Sequence, residues 1–116
     1  MSRILFVMTH SPGTINAQEG FDALLMGSAF ANCSALFLGQ GLYQLINSQN
    51  REPIGGKNYT LGFAALHDYG VQNIYGSRSQ LEDTILSPDD FCINVELLAD
   101  DKVNRLFDSH DTILTF

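Results

Sequence analysis

Near its start the chain reads Arg3-Ile4-Leu5-Phe6-Val7-Met8, an apolar run, followed by the polar loop Thr9-His10-Ser11-Pro12-Gly13-Thr14 and a helical stretch from Ala17 to Ala31. A buried strand that empties into a Gly-containing loop and then a helix is the first half of a βαβ unit. That unit sets a fold class, and it sets an edge for ligands, because open parallel sheets bind beyond the carboxyl ends of their strands.

Working outward, Phe21, Leu24, Leu25, Gly27, Ser28 and Phe30 place apolar and small residues at helical spacing for packing on a sheet. Cys33 to Leu38 is continuously apolar, the mark of a strand covered on both faces. Gly39-Gln40-Gly41 ends it, Leu42 to Ile46 reads as a short helix, and Asn47 to Gly56 has the composition of an exposed loop. Tyr59 to Tyr69 is expected to be helical, with Gly70 as its stop. A third strand is expected over Val71 to Tyr75, with Gly76-Ser77-Arg78-Ser79 as its loop and Gln80 to Leu86 as a brief helix before Ser87-Pro88. A fourth strand follows over about Phe91 to Leu97. Asp100-Asp101 opens a helix running to about Asp108, where the acids complement the helix dipole, and Thr112 to Phe116 makes a fifth strand.

Five strands alternating with helices in 116 residues predict one α/β domain spanning 1–116, a mainly parallel sheet with helices on both faces, of the flavodoxin-like kind. The loops after Met8, Leu38, Tyr75 and Leu97 then share one rim, which carries His10, Ser11, Gly13, Gln40, Tyr75, Ser77 and Arg78 as the candidate cleft or partner-contact residues.

Composition narrows the function. Only 16% of residues are charged against 45% apolar, so the chain is short of groups to wet its surface, and we expect apolar patches that partner subunits cover. A net charge of −7 and an isoelectric point near 4.5 repel a phosphate backbone and an anionic membrane alike. The six basic residues are scattered, with no basic stripe. No apolar run reaches the length needed to cross a bilayer and no secretory signal is visible, which reads as a cytoplasmic protein that binds neither nucleic acid nor membrane directly.

The rim motifs are chemically quiet. Thr9 to Thr14 offers hydroxyls, Gly13 and a helix start to an anion, but it is neither a Walker loop nor a dinucleotide fingerprint. His10 is the one histidine expected on the rim, since His67 belongs to a helix and His110 to a turn, and no nucleophile motif accompanies it. Asp89-Asp90 and Asp100-Asp101 lack metal-loop spacing and read as helix starts and solvated turns. Cys33 and Cys92, 59 positions apart, form neither a CxxC pair nor half a zinc site and read as two small core residues. A persulfide carrier would want a thiolate after the third strand, at a helix start that lowers its pKa. This chain has Tyr75, Gly76, Ser77, Arg78 and Ser79 there, and a hydroxyl cannot hold a persulfide.

Several segments together resemble the DsrE/DsrF/DsrH sulfur-relay family, in its DsrF-like branch: Arg3 to Val7, Glu19-Gly20-Phe21-Asp22-Ala23-Leu24-Leu25 with Ser28-Ala29, Ala35-Leu36-Phe37 with Gly41 and Gln44-Leu45, and His110 to Phe116. The resemblance implies a DsrE/F-like fold and a cytoplasmic subunit of a hetero-oligomer with TusB-like and TusD-like chains, built as a dimer of heterotrimers. Such a complex passes persulfide sulfur from a TusA-like carrier toward a TusE-like one and on to the 2-thiouridine of tRNA wobble positions. The relay cysteine belongs to the TusD-like subunit, so the resemblance implies no catalytic residue, metal or cofactor for this chain. Beside it stands a second reading, a free-standing flavodoxin-like domain that binds a small molecule or anion through Thr9 to Thr14 and Gly39-Gln40-Gly41.

Overall fold

In the computed structural model, which describes residues 2–46, 66–71, 73–91 and 93–116, β1 (Arg3–Met8) is an interior strand of the sheet, paired on both sides. Its alternate residues point to opposite faces. Phe6 and Met8 enter a large core with Phe21 and Leu24 of α1 (Ile15–Gly27), while Leu5 and Val7 enter a smaller one with Leu36. Burial on both faces is why these strands read as unbroken apolar runs. β2 (Asn32–Phe37) repeats the pattern, with Cys33, Ala35 and Phe37 in the large core and Leu36 in the small one.

The five strands form one sheet in the order β4-β3-β2-β1-β5, and every neighbouring pair is parallel. β3 is Asn73–Ser77, β4 is Glu96–Leu98 and β5 is Thr112–Thr115. Two more helices complete the description, α2 (Arg78–Glu82) and α3 (Asp100–Ser109). Because β4 lies on one edge and β5 on the other, the chain recrosses the whole sheet between them. α3 makes that crossing, and its Val103, Leu106 and Phe107, at i, i+3 and i+4, pack on the small core. The two cores on opposite faces bear out the expected architecture.

Several boundaries differ from expectation. α1 starts at Ile15 and ends at Gly27, earlier at both ends, because Thr14 caps it by accepting the Ala17 amide and Ser28 closes it with its amide on the Leu24 carbonyl. The short helix expected at Leu42 to Ile46 is a 3₁₀ segment over Gly39–Leu45. β3 runs to Ser77 rather than stopping at Tyr75. A side chain at Gly76 would press on Leu42 and Leu97, so this glycine is a packing requirement inside a strand and not a loop signal. α2 consequently starts at Arg78, ahead of the expected Gln80. β4 keeps three residues only; Phe91 makes an isolated antiparallel bridge with Ile46, and Ile93 and Val95 pack on the core without joining the ladder. The loop expected at Asn47 to Gly56, most of the helix expected at Tyr59 to Tyr69, and Cys92 lie outside the described residues; Leu66–Tyr69 forms a 3₁₀ turn.

Candidate functional site

The carboxyl ends of β1, β2, β3 and β4 share one rim, and its loops are held to each other by hydrogen bonds. After β1, the Thr9 amide and hydroxyl both donate to the Phe116 carbonyl, at 2.8 and 3.0 Å, which closes the gap between β1 and β5. His10 is exposed, its Nδ1 lies 3.2 Å from Thr9 Oγ1, and its carbonyl accepts from Gln44 Nε2 at 2.7 Å. Ser11 is half-buried and its carbonyl accepts the Thr14 hydroxyl. Gly13 takes a φ of +88°, a conformation that L side chains avoid, and so turns the chain into α1. Thr14 Oγ1 therefore spends its lone pair on Ala17 and its proton on Ser11, and Thr9 is committed to Phe116. Both threonine hydroxyls of the loop are thus already engaged within the chain.

After β2, Gly41 passes so close to β1 that a Cβ there would overlap the Met8 carbonyl. The same carbonyl accepts the Leu38 amide at 3.0 Å. Gln40, a candidate rim residue, is exposed on this turn. Gln44, quoted above for the family resemblance and not as a rim residue, is 4% exposed and ties the turn to His10, while its Oε1 is buried with no partner among the described residues. The signal for it was present, a lone amide inside Gly41-Leu42-Tyr43-Gln44-Leu45.

After β3, the residues expected on the rim divide. Tyr75 is not there: it lies mid-strand between Ile74 and Gly76 and packs on the face covered by Val103, Leu106 and Phe107. The two-residue shift of the strand's end, from Tyr75 to Ser77, is the reason. Burial, chiefly, and Glu96 hold its phenol above the ordinary range. Ser77, 2% exposed, is the N-cap of α2, its Oγ accepting the Gln80 amide at 3.3 Å and lying 3.3 Å from Ser79 Oγ. Ser79 donates to Asp100 Oδ1 at 2.8 Å, and Gln80 Oε1 accepts the Gly39 amide. Ser77-Arg78-Ser79-Gln80 fits the Ser-x-x-Gln helix-start pattern, a signal that would have placed α2 correctly. Exposed Arg78 reaches over to the Leu97 carbonyl at 3.3 Å and borders a groove of about 300 Å³ whose other walls are Leu81, Glu82, Leu86, Pro88 and Leu97.

The rim thus gathers His10, Ser11, Gly13, Gln40, Ser77 and Arg78 along one end of the sheet, but joins them through structural hydrogen bonds rather than into an acid-base pair. Among the described residues no group of three or more His, Cys, Asp or Glu is placed to hold a metal. Cys33 is the free cysteine among them, and it is buried at the opposite end of β2. It stands four positions before Phe37, roughly 13 Å along the strand. Its sulfur faces the position where a Gly27 side chain would begin, and burial raises its pKa, the reverse of what a nucleophilic thiolate needs. His110 also stands away from the rim, buried at the end of α3 with Nδ1 2.8 Å from the Leu106 carbonyl.

Comparison with known proteins agrees with this geometry. A crystal structure of the ychN protein from E. coli superposes with a TM-score of 0.77 over the full length of both chains at 15% identity, which shows the shared fold. Protein TusC of Buchnera aphidicola from Acyrthosiphon pisum (strain Tuc7) is 33% identical over the full length of both chains, and that from Schizaphis graminum is 34% identical over the same extent. The intracellular sulfur oxidation protein DsrF of Allochromatium vinosum is 31% identical across this whole chain and 97% of its own. With residues 2–116 matching the family as a whole, the chain belongs to the DsrE/DsrF-like family, on the side of its TusC and DsrF members.

Proposed function

We propose that this protein is a non-catalytic interaction subunit of a cytoplasmic, TusBCD-type sulfur-relay complex, in which persulfide sulfur moves toward 2-thiolation of tRNA wobble uridine on a partner's thiol. The observation that carries this reading is Ser77. At the end of β3, where a relay thiolate would be presented at a helix start, the chain places a buried hydroxyl committed to capping α2. Cys33 supports the same reading, because it lies at the far end of its strand with a thiol that burial keeps protonated. The role left for the chain is structural: it buries apolar surface against TusB-like and TusD-like subunits and holds a partner's cleft in shape, with TusA-like and TusE-like carriers meeting the complex elsewhere.

Coexpression with the TusB-like and TusD-like subunits, followed by native mass spectrometry, tests the assembly; a hetero-oligomer of twofold-repeated heterotrimers is expected. Replacing Cys33 and Cys92 by Ala tests the chemistry. Assembly and tRNA 2-thiolation should persist, with some loss of core packing at Cys33. A complex that still forms but no longer transfers sulfur would make one of these cysteines a carrier and overturn the reading. The free-standing binding domain predicts instead a lone chain that retains a chromophore or anion, and the committed hydroxyls of Thr9 and Thr14 weigh against it.

A further inference from the structure

Among the described residues β5 is an edge strand, and its hydrogen bonds show which of its backbone groups face outward. Phe116, just past the strand, turns both its amide and its carbonyl to β1, donating to the Val7 carbonyl and accepting from the Thr9 amide, each at 2.8 Å. The backbone groups of successive strand residues alternate sides. Thr112 and Leu114 therefore face β1 as well, and the amides and carbonyls of Ile113 and Thr115 point away from the sheet. All of β5 is exposed, with Ile113 at 38% and Leu114 at 39% on opposite faces, beside Leu5 and Phe6 of β1. The strand carries no charge, and the carboxylate next to it, that of Asp111, is taken up by the Arg3 amide at 2.9 Å.

We infer that β5 pairs antiparallel with β5 of a second copy of this chain, across a twofold axis normal to the sheet that passes beside Leu114. Such an axis keeps the large core of both copies on one side of a continuous sheet, so residues set opposite each other must point the same way, and their numbers must be both odd or both even. That condition leaves few registers. Centring on Ile113 joins this residue to its twin but sets Thr115 against Asp111, whose amide is already bound to the Arg3 carbonyl. Centring on Thr115 joins only Thr115 to its twin within the strand. Centring on Leu114 sets Ile113 opposite Thr115 on both sides of the axis, and every outward amide and carbonyl of the two strands then finds a partner. It also brings the Leu114 side chains together as a non-hydrogen-bonded pair, the closer kind, on the face of Phe6. Charge selects the occupant. Two chains of net charge −7 repel, so contact between copies needs a stretch that is free of charge and complementary to itself, and this strand meets both conditions.

Within the proposed complex the inference rests on the subunit reading: the axis that repeats the heterotrimer would run beside Leu114. Leu114→Cys and Ile113→Cys are made separately, alone and coexpressed with the TusB-like and TusD-like partners, then oxidised, and linked peptides are identified by mass spectrometry. In this register Leu114 and its twin lie roughly 4.5 Å apart at Cα, within disulfide reach, and Ile113 and its twin roughly 7 to 8 Å, beyond it. Leu114→Cys should therefore give at least about tenfold more self-linked dimer than Ile113→Cys. In the unmodified chain, the Ile113 and Thr115 amides should exchange more slowly as concentration rises, while the Leu114 amide, already on β1, stays unchanged. No self-linked dimer, more linking through Ile113→Cys, linking of Leu114→Cys to a different subunit, or exchange that ignores concentration overturns the pairing and leaves the subunit role standing. A chain that links to itself through Leu114→Cys but assembles with neither partner overturns the subunit role and leaves the pairing standing.

Discussion

Gly41 leaves no room for a methyl group, because the obstacle is the Met8 carbonyl of β1 rather than a side chain that could turn away. Gly41→Ala should therefore cost about 3 kcal/mol, the upper part of the overpacking range, read as a lower midpoint in urea at unchanged slope. Ser77 makes a milder case: Ser77→Ala removes the cap of α2 and its contact to Ser79, and about 1 kcal/mol is expected. Cys33 gives a pH signature. Its folded pKa is raised by burial, so the folded state holds the proton longer than the unfolded chain, and stability is complete below the ordinary thiol pKa of roughly 8.5. Above that value the unfolded chain ionises first and stability falls until the folded thiol also titrates. Tyr75, raised chiefly by burial and then by Glu96, adds a second loss beginning near the ordinary phenol pKa of roughly 10. Denaturant melts between neutral and strongly alkaline pH should show this decline, and Cys33→Ala should flatten its first part. A native thiol that reacts with iodoacetamide as fast as a free peptide would contradict the burial on which the sign depends.

At the scale of elements, α3 is the part of the described structure that covers the Leu5, Val7 and Leu36 core, through three side chains on one face. Phe107→Ala should cost about 2 kcal/mol, less than a fully buried Phe because the ring is half-exposed. The loss should appear first in β5, which follows α3 directly and, among the described strands, pairs only with β1. Hydrogen exchange is the measurement: β5 amides should speed up more than those of β2, and equal acceleration of both would mean that α3 and the sheet open only together. The same elements mark what was legible beforehand. β1 and β2 were readable nearly to their ends because burial on both faces leaves an unbroken apolar run, and α3 because its half-buried face recurs at helical spacing; β5, exposed at all four residues, was readable from its composition alone. β3 and β4 were not. Gly76 resembles a breaker in one dimension and is a close-packed strand residue in three, while Ile93 and Val95 are apolar and pack on the core without joining the ladder and Phe91 makes only an isolated bridge. At the rim, the absence of a placed thiol was legible from residue types, whereas Gln44 and the link from Ser79 to Asp100 depend on loops brought together by the sheet order, which no local pattern carries.

For the molecule as a whole, the low charge content is not spread evenly. Large apolar side chains stand in water at the outer face of α1, at Ile85 and along β5, where Ile113 and Leu114 are both exposed. β5 adds a second liability, since among the described residues it is an edge strand with no neighbour on its outer side. Edges of this kind are usually guarded by Lys, Pro or a bulge. Thr112-Ile113-Leu114-Thr115 contains no charge and no Pro, and its register with β1 runs without interruption from Ile4↔Thr112 to Val7↔Thr115. The isolated chain should therefore self-associate as its concentration rises, seen as growing sedimentation coefficients or light scattering, even though its acidic net charge opposes contact. Ile113→Lys should suppress that association, and because Ile113 already reaches solvent the substitution should change folding stability by no more than about 1 kcal/mol. A charge at Gln18, on α1 away from this edge, provides the control. If Gln18→Lys suppresses association as well as Ile113→Lys does, then net charge rather than the bare edge governs the behaviour, and the attribution to β5 is wrong.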